Sequence, residues 1–215
     1  MINYYKYARN VYSQNGEDGI IEKIFEKLNI NDGYICEFGA WDGIHLSNTY
    51  NIYKNNSNFV PILIESESEF FKKMEKTLSG IEQKITLNKF VSPDIDSENC
   101  LDKILESLDI KDLKNKFRLL SIDIDSCDYE VWDSLKEYRP TVVVIEVNSS
   151  YPPSQEVYPC TPSGASAGIV NKLAKRKEYE LVCHTGNLIF VVKEEFEKLG
   201  IEDNNLEKLF LWNWC

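Results

Sequence analysis

The sequence predicts an α/β fold built on a mostly parallel sheet, with helices on both faces and an antiparallel last strand. Three observations predict it. Apolar runs with helical spacing alternate along the chain with short strand-like runs. Two of the strand-like runs, Phe117–Ile124 and Thr141–Val147, are continuously aliphatic and β-branched, as strands covered on both faces of a parallel sheet must be. The final two runs, Tyr179–His184 and Asn187–Lys193, are separated by Thr185 and Gly186 alone. Two residues cannot make a parallel crossover, so the last strand returns as a hairpin.

Taken in order, Ser13–Asn29 places Ile20, Ile21, Ile24, Phe25 and Leu28 at helical spacing, with Glu17 and Asp18 in the first turn where the helix dipole favours anions. Gly33–Phe38 is a short apolar strand ended by Gly39, and Leu46–Lys54 is a helix. Asn58–Glu65 is a second strand, with Pro61 tolerated near its start. An amphipathic helix over Glu67–Leu78 leads to a third strand, Gln83–Val91, and a helix over Asn99–Leu108 leads to the strand from Phe117. Tyr129–Tyr138 is the helix between the two continuous runs, and Ala165–Arg176 is the helix before the hairpin. That makes one domain over residues 1–215: an aromatic arm (residues 1–12) precedes it, a Pro- and Ser-rich loop (149–168) follows the fifth strand, and an extension (194–215) closes it. The arm is expected to pack on the sheet edge or a second subunit, which allows a homodimer. The apolar ending is expected to dock on the domain or a partner chain.

Charge narrows the function. The chain carries 24 Lys plus Arg against 35 Asp plus Glu, a net charge of −11. A phosphate backbone attracts clustered cations, so no nucleic-acid partner is expected; the longest basic run, Lys172 to Lys177, reads as a solvated helix face. With 43% hydrophobic residues the chain buries a real core. No apolar stretch is long enough to span a bilayer and the N-terminus lacks a signal-peptide run, which predicts a cytoplasmic protein. Six scattered cysteines and two histidines form no zinc motif. Cys36 and Cys183 read as small buried hydrophobes, and no disulfide framework is expected.

In an open α/β sheet ligands sit at the carboxyl ends of the strands. After the first strand comes Glu37-Phe38-Gly39-Ala40-Trp41-Asp42-Gly43, whose glycines allow a sharp turn and close approach to a ligand. It is not the G-x-G-x-x-G of dinucleotide sites, because Trp41 stands at the second glycine, and the carboxylates of Glu37 and Asp42 suit a cationic or zwitterionic cofactor rather than a pyrophosphate. Glu65 ends the second strand 22 residues after Gly43, close to the spacing at which an acidic side chain holds ribose hydroxyls. At the next two strand ends, period-two geometry sets Asp123 with Asp125, and Glu146 with Asn148, on common sides. Four hard oxygen donors then converge, which suits Mg²⁺ or another divalent cation, and carboxylates this close raise one another's pKa. Asp128 reads mainly as a helix cap. His184, ending a strand beside a tight turn, is a second candidate base.

The succession S-Q-N-G-E-D (Ser13–Asp18), E-F-G-A-W-D-G, S-N-T-Y (Ser47–Tyr50), I-L-I-E (Ile62–Glu65), S-I-D-I-D (Ser121–Asp125) and V-I-E-V-N (Val144–Asn148) resembles class I S-adenosylmethionine-dependent methyltransferases of the FkbM-type branch, from about Tyr12 to Lys193. The resemblance implies a Rossmann-like seven-stranded sheet with S-adenosylmethionine as cofactor. It implies that Gly39, Ala40 and their neighbours Glu37 and Asp42 cradle the methionine part, with Ser47 and Asn48 close by, that Glu65 holds the ribose, and that Ser13 and Gln14 lie over the cofactor. It sets Asp123 facing the transferred methyl, and in related metal-dependent O-methyltransferases the metal ligands map onto Asp123, Glu146 and Asn148, with Asp125 as accessory ligand or base. It further implies O-methylation of a sugar, surface-polysaccharide or natural-product acceptor; the loop 149–168, by its position after the fifth strand and its aromatic and hydroxyl side chains, is the expected acceptor wall. The alternatives are N-methylation of an amino sugar or amide without a metal, and a cofactor-binding subunit without chemistry.

Overall fold

Seven strands hydrogen-bond into one sheet in a computed structural model that describes residues 3–158 and 164–211. They are β1 (Gly33–Phe38), β2 (Phe59–Glu65), β3 (Ile85–Asn88), β4 (Phe117–Ile122), β5 (Val142–Glu146), β6 (Tyr179–His184) and β7 (Asn187–Val192). Their order is β3-β2-β1-β4-β5-β7-β6. Only β7 runs antiparallel, to β5 on one side and β6 on the other. The order reverses between β1 and β4, which pair in parallel, and there the loops after adjacent strands diverge to opposite faces and leave a crevice.

The predicted interior is the observed one. Ile35, Cys36, Leu119, Leu120 and Val142 to Ile145 are fully buried, because strands inside a parallel sheet face helices on both sides. Pro61 sits inside β2, yet the β3 ladder begins only at Ile62, so its missing N–H breaks no pairing there.

The helices are α1 (Glu17–Leu28), α2 (Tyr50–Tyr53), α3 (Ser68–Thr77), α4 (Leu101–Glu106), α5 (Leu113–Lys116), α6 (Asp128–Ser134), α7 (Ala167–Arg176), α8 (Lys193–Phe196) and α9 (Leu206–Leu209). Several are shorter than periodicity predicts. Helix α1 begins at Glu17, not Ser13, because Gly16 is left-handed (φ 98°) and Asp18 Oδ2 accepts the N–H groups of Val11, Tyr12 and Ser13, folding the arm back. Helix α6 stops at Ser134, since Leu135 turns extended and the Asp102 carboxylate accepts the next two N–H groups, of Lys136 and Glu137.

The aromatic arm packs on its own chain. Tyr4 is fully buried, and its hydroxyl donates to Leu199 O (3.1 Å). The described part of the extension does likewise, with Leu206, Leu209 and Phe210 buried; residues 212–215 of the apolar ending lie outside the described residues. Cys36, Cys100 and Cys183 are free thiols, but Cys127 is disulfide-bonded, which departs from the expectation of reduced thiols. Part of the predicted acceptor loop, residues 159–163, lies outside the described residues. No helix among the described residues is long and apolar enough to cross a membrane.

Candidate active site

The glycine turn after β1 is built against the tip of β4. Gly39 has φ 76°, and a Cβ there would stand 1.9 Å from the Asp123 carbonyl oxygen, so only glycine lets the two strand ends meet. The N–H groups of Gly39 and Ala40 both donate to Ile64 O (3.1 and 3.2 Å). Trp41, the residue that departs from a glycine-rich loop, adopts φ 47°, the left-handed backbone a glycine would have supplied. That conformation aims its N–H at Glu65 Oε2 (2.8 Å), while Glu65 Oε1 accepts from Glu67 N (2.7 Å). Each oxygen keeps a further lone pair for a ligand hydroxyl.

Other residues assigned to the cofactor are absorbed by the loop itself. Glu37 is buried and accepts from the hydroxyls of Ser47 (2.6 Å) and Thr49 (2.7 Å) and from Asn48 N (2.9 Å). Burial raises its pKa against these hydrogen bonds. Asn48 Nδ2 donates onward to Ser121 Oγ (3.1 Å), so Glu37, Ser47 and Asn48 act as an internal brace between β1, the following loop and β4. Asp42 has its own partners: it accepts from Ile44 and His45 N–H and pairs with Lys73 at 2.9 Å. Burial raises its pKa, and the His45 N–H, Lys73 and Ile44 contacts together carry it below the usual value. Ser13 Oγ accepts from Asp18 N (3.1 Å), in the turn that joins the arm to α1.

The acidic residues do converge. Asp123, Asp125 and Glu146 bring carboxylate oxygens within 4.8 Å of one another. The reason differs from alternation along a strand: β4 ends at Ile122, and Asp125 reaches the cluster from a loop through a left-handed backbone (φ 55°). Asp128 closes that loop, its two oxygens accepting from Ile124 N (2.9 Å) and Ser126 N (3.1 Å). Burial, then the charge of Glu146 and its neighbours, pushes Asp123 up to about 8. Burial, then Asp128 and Asp125, pushes Glu146 up to about 7. Such a cluster at neutral pH holds a proton or calls for a cation.

A cleft of about 420 Å³ opens on Asp123 and Glu146. Gln14 and Asn15, just before α1, form one wall, Asn148, Ser149 and Ser150 a second, Gly186 and Asn187 a third. No described residue lining it is cationic. Asn148 lines it as expected, although its Oδ1 accepts from Ser150 N (3.0 Å) and the Ser150 hydroxyl. A smaller apolar slot of about 110 Å³ lies beside Gly39, between Ile64, Phe90, Val91 and Ile124.

His184 is not brought to this cleft as a base. It is fully buried, stacked on Phe210 (4.4 Å between ring centres), and both nitrogens are engaged: Nδ1 accepts from Leu211 N (2.9 Å) and Nε2 meets Ser149 Oγ at 2.9 Å. Burial pushes its pKa down to about 4. Glu17 is the organising residue that helix-start reasoning missed. Fully buried, it accepts from Asn15 N (2.8 Å), Thr185 Oγ1 (2.7 Å) and Asn187 Nδ2 (3.0 Å), tying the first wall to the third. The one local signal was an acidic side chain two residues after Asn15.

No family model matches the chain, and no curated protein matches it in sequence. Solved structures do. A Staphylococcus aureus protein described as a candidate caffeoyl-CoA O-methyltransferase is 13% identical, with a TM-score of 0.56 over 87% of this chain and 87% of that one. The CurJ carbon methyltransferase is 10% identical, with a TM-score of 0.52 over 84% of this chain; the chain spans 56% of that structure's length. Sheet order, the antiparallel β7 and these superpositions together give this chain the Rossmann-like fold of S-adenosylmethionine-dependent methyltransferases.

Proposed function

We propose that the protein is an S-adenosylmethionine-dependent methyltransferase. The observation that carries the reading is the set of acidic tips at the point where the strand order reverses: Glu65 beside the Gly39 turn on one side, Asp123 and Glu146 beside a polar cleft on the other. The residues fit the cofactor. The lone pairs left on Glu65 suit a ribose diol, the slot between Ile64, Phe90 and Val91 suits a planar base, and Gly39 leaves room for close backbone approach. The cofactor supplies an electrophilic methyl on a sulfonium, whose positive charge would favour the ionised form of Asp123 at the mouth of the cleft. The protein's part is to align the acceptor and exclude water.

The acceptor reading is a sugar, surface-polysaccharide or natural-product hydroxyl. Carboxamides and hydroxyls of Asn15, Asn148, Ser149 and Asn187 suit a polyol, and a cleft without cations disfavours a polyanion. An alcohol must lose its proton as it attacks, and Asp123, raised to about 8 in the empty site and favoured in its ionised form by a sulfonium beside it, is placed to accept that proton. The all-oxygen set of Asp123, Asp125 and Glu146 also fits Mg²⁺ or another hard cation, with Asn148 beside it. Such an ion lowers the pKa of a bound hydroxyl when present. The same cation-free lining favours a second reading, N-methylation of an amine held by the carboxylates.

Calorimetry with S-adenosylhomocysteine, with Mg²⁺ and after EDTA, tests the proposal. Saturable binding is expected, and Asp123→Ala is expected to abolish turnover on a sugar or amino-sugar acceptor while the fold persists. Absence of binding sinks the cofactor reading; methylation that survives EDTA removes the metal; binding without turnover on any acceptor favours a subunit role.

A further inference from the structure

The basic run that charge reasoning assigned to a solvated helix face does two different things. Lys172 and Lys175 pair at the surface with Glu156 and Glu180. Arg176, as exposed as those two, and the half-buried Lys177, at the end of α7, line an open groove of about 340 Å³, where they meet Lys136 and Arg139 from the segment between α6 and β5. The cavity lies at the amino ends of β5 and β6, the opposite pole of the sheet from the Asp123 cluster, and it is floored by Trp132 and Tyr179.

Ordinary partners account for only part of this charge. Arg139 is matched by Glu194 in a two-pronged pair. Lys136 Nζ and Arg176 Nη2 share one oxygen, Asp133 Oδ1, each at 3.4 Å. Lys177 Nζ donates to Leu135 O at 2.5 Å, a carbonyl at the end of α6, and has no carboxylate within ion-pair distance among the described residues. Arg176 also donates to the Tyr129 hydroxyl (3.1 Å), and Glu178 is the second carboxylate lining the groove, so four cations stand over two acidic side chains there, in a chain whose net charge is −11. Burial, then the charge of Lys136, pushes Lys177 down to about 8, which is the crowding expected of a hollow short of anions.

We propose that this cavity binds the phosphate group of a small organic phosphate, with Lys136, Arg176 and Lys177 as its ligands. Planar guanidinium and mobile ammonium donors suit tetrahedral phosphate oxygens. The cavity falls in the range of small-molecule pockets and leaves room for an organic portion. The inference does not rest on the methyltransferase reading.

The test is calorimetry at low ionic strength with inorganic phosphate, glycerol phosphate and a nucleoside monophosphate as separate probes. Saturable binding is expected, tighter for an ester than for inorganic phosphate and weakened by added salt. Arg176→Gln and Lys136→Gln alter exposed side chains and leave the core intact; each is expected to weaken binding about tenfold, the loss of one charge-assisted hydrogen bond. Lys175→Gln, outside the cavity, should bind as the unaltered protein does. Binding of inorganic phosphate alone, lost in the same variants, would keep the site and identify the free ion as its occupant. No saturable binding of any probe, or equal affinity in Arg176→Gln and Lys136→Gln, overturns the proposal.

Discussion

Asp123 shows how a side chain's chemistry depends on what surrounds it. A carboxyl that titrates near 4 in the unfolded chain is held to about 8 in the fold, by burial first and the Glu146 charge second. Between those values the folded state binds the proton that the unfolded state has lost, so stability falls as pH rises from about 4 to 8. Thermal unfolding of metal-free protein should show that fall, and Asp123→Asn should flatten it; parallel pH profiles for the two proteins would mean the group is not held protonated. Glu146, raised to about 7, adds to the same slope over a narrower window. The carboxylates were legible in the sequence because they stand at strand ends. The distances that couple them were not, since Asp125 arrives through a loop whose left-handed backbone no alternation rule contains.

Between neighbouring elements, the site depends on two kinds of junction. One is the close approach of the β1 turn to β4. Gly39→Ala would put a methyl 1.9 Å from a backbone oxygen at φ 76°. It should cost about 3 kcal/mol or more in denaturant unfolding and remove cofactor binding in the fraction that folds. The other is the Glu17 bridge from the start of α1 to the β6–β7 turn. Glu17→Gln sets an amide against three donors, and should cost about 1–3 kcal/mol. On the proposed function it should raise acceptor KM more than cofactor KM, because it loosens the cleft walls and leaves the Gly39 turn alone; an unchanged acceptor KM would show that Glu17 serves stability only. The Thr185-Gly186 hairpin was readable from its length. Its meeting with Glu17 was not, since the two lie 168 residues apart.

Across the whole molecule, both chain extensions are fastened back onto the domain. The arm is held by Tyr4 and Asp18, and the tail by Phe210 stacked on His184, whose other edge holds Ser149 in the cleft wall. Phe210→Ala should cost about 3 kcal/mol by leaving a hole beside a buried imidazole. It should also weaken acceptor binding through Ser149, which a binding series on folded variant would detect; acceptor affinity equal to that of the unaltered protein would confine the tail to stability. The strand runs, the hairpin, the glycine turn and the strand-end carboxylates could be read directly from residue order, because periodicity, β-branching and turn length are local properties of the chain. The three-dimensional arrangement settled the rest. It inserted β7 between β5 and β6, which sets Asn187 opposite Glu146, buried His184 with both ring nitrogens engaged, and set the half-buried Lys177 beside Lys136 and Arg139 in one groove. Those outcomes follow from burial and from distances between residues remote in sequence, and a Coulomb energy or a desolvation cost has no value until the sheet order has set them.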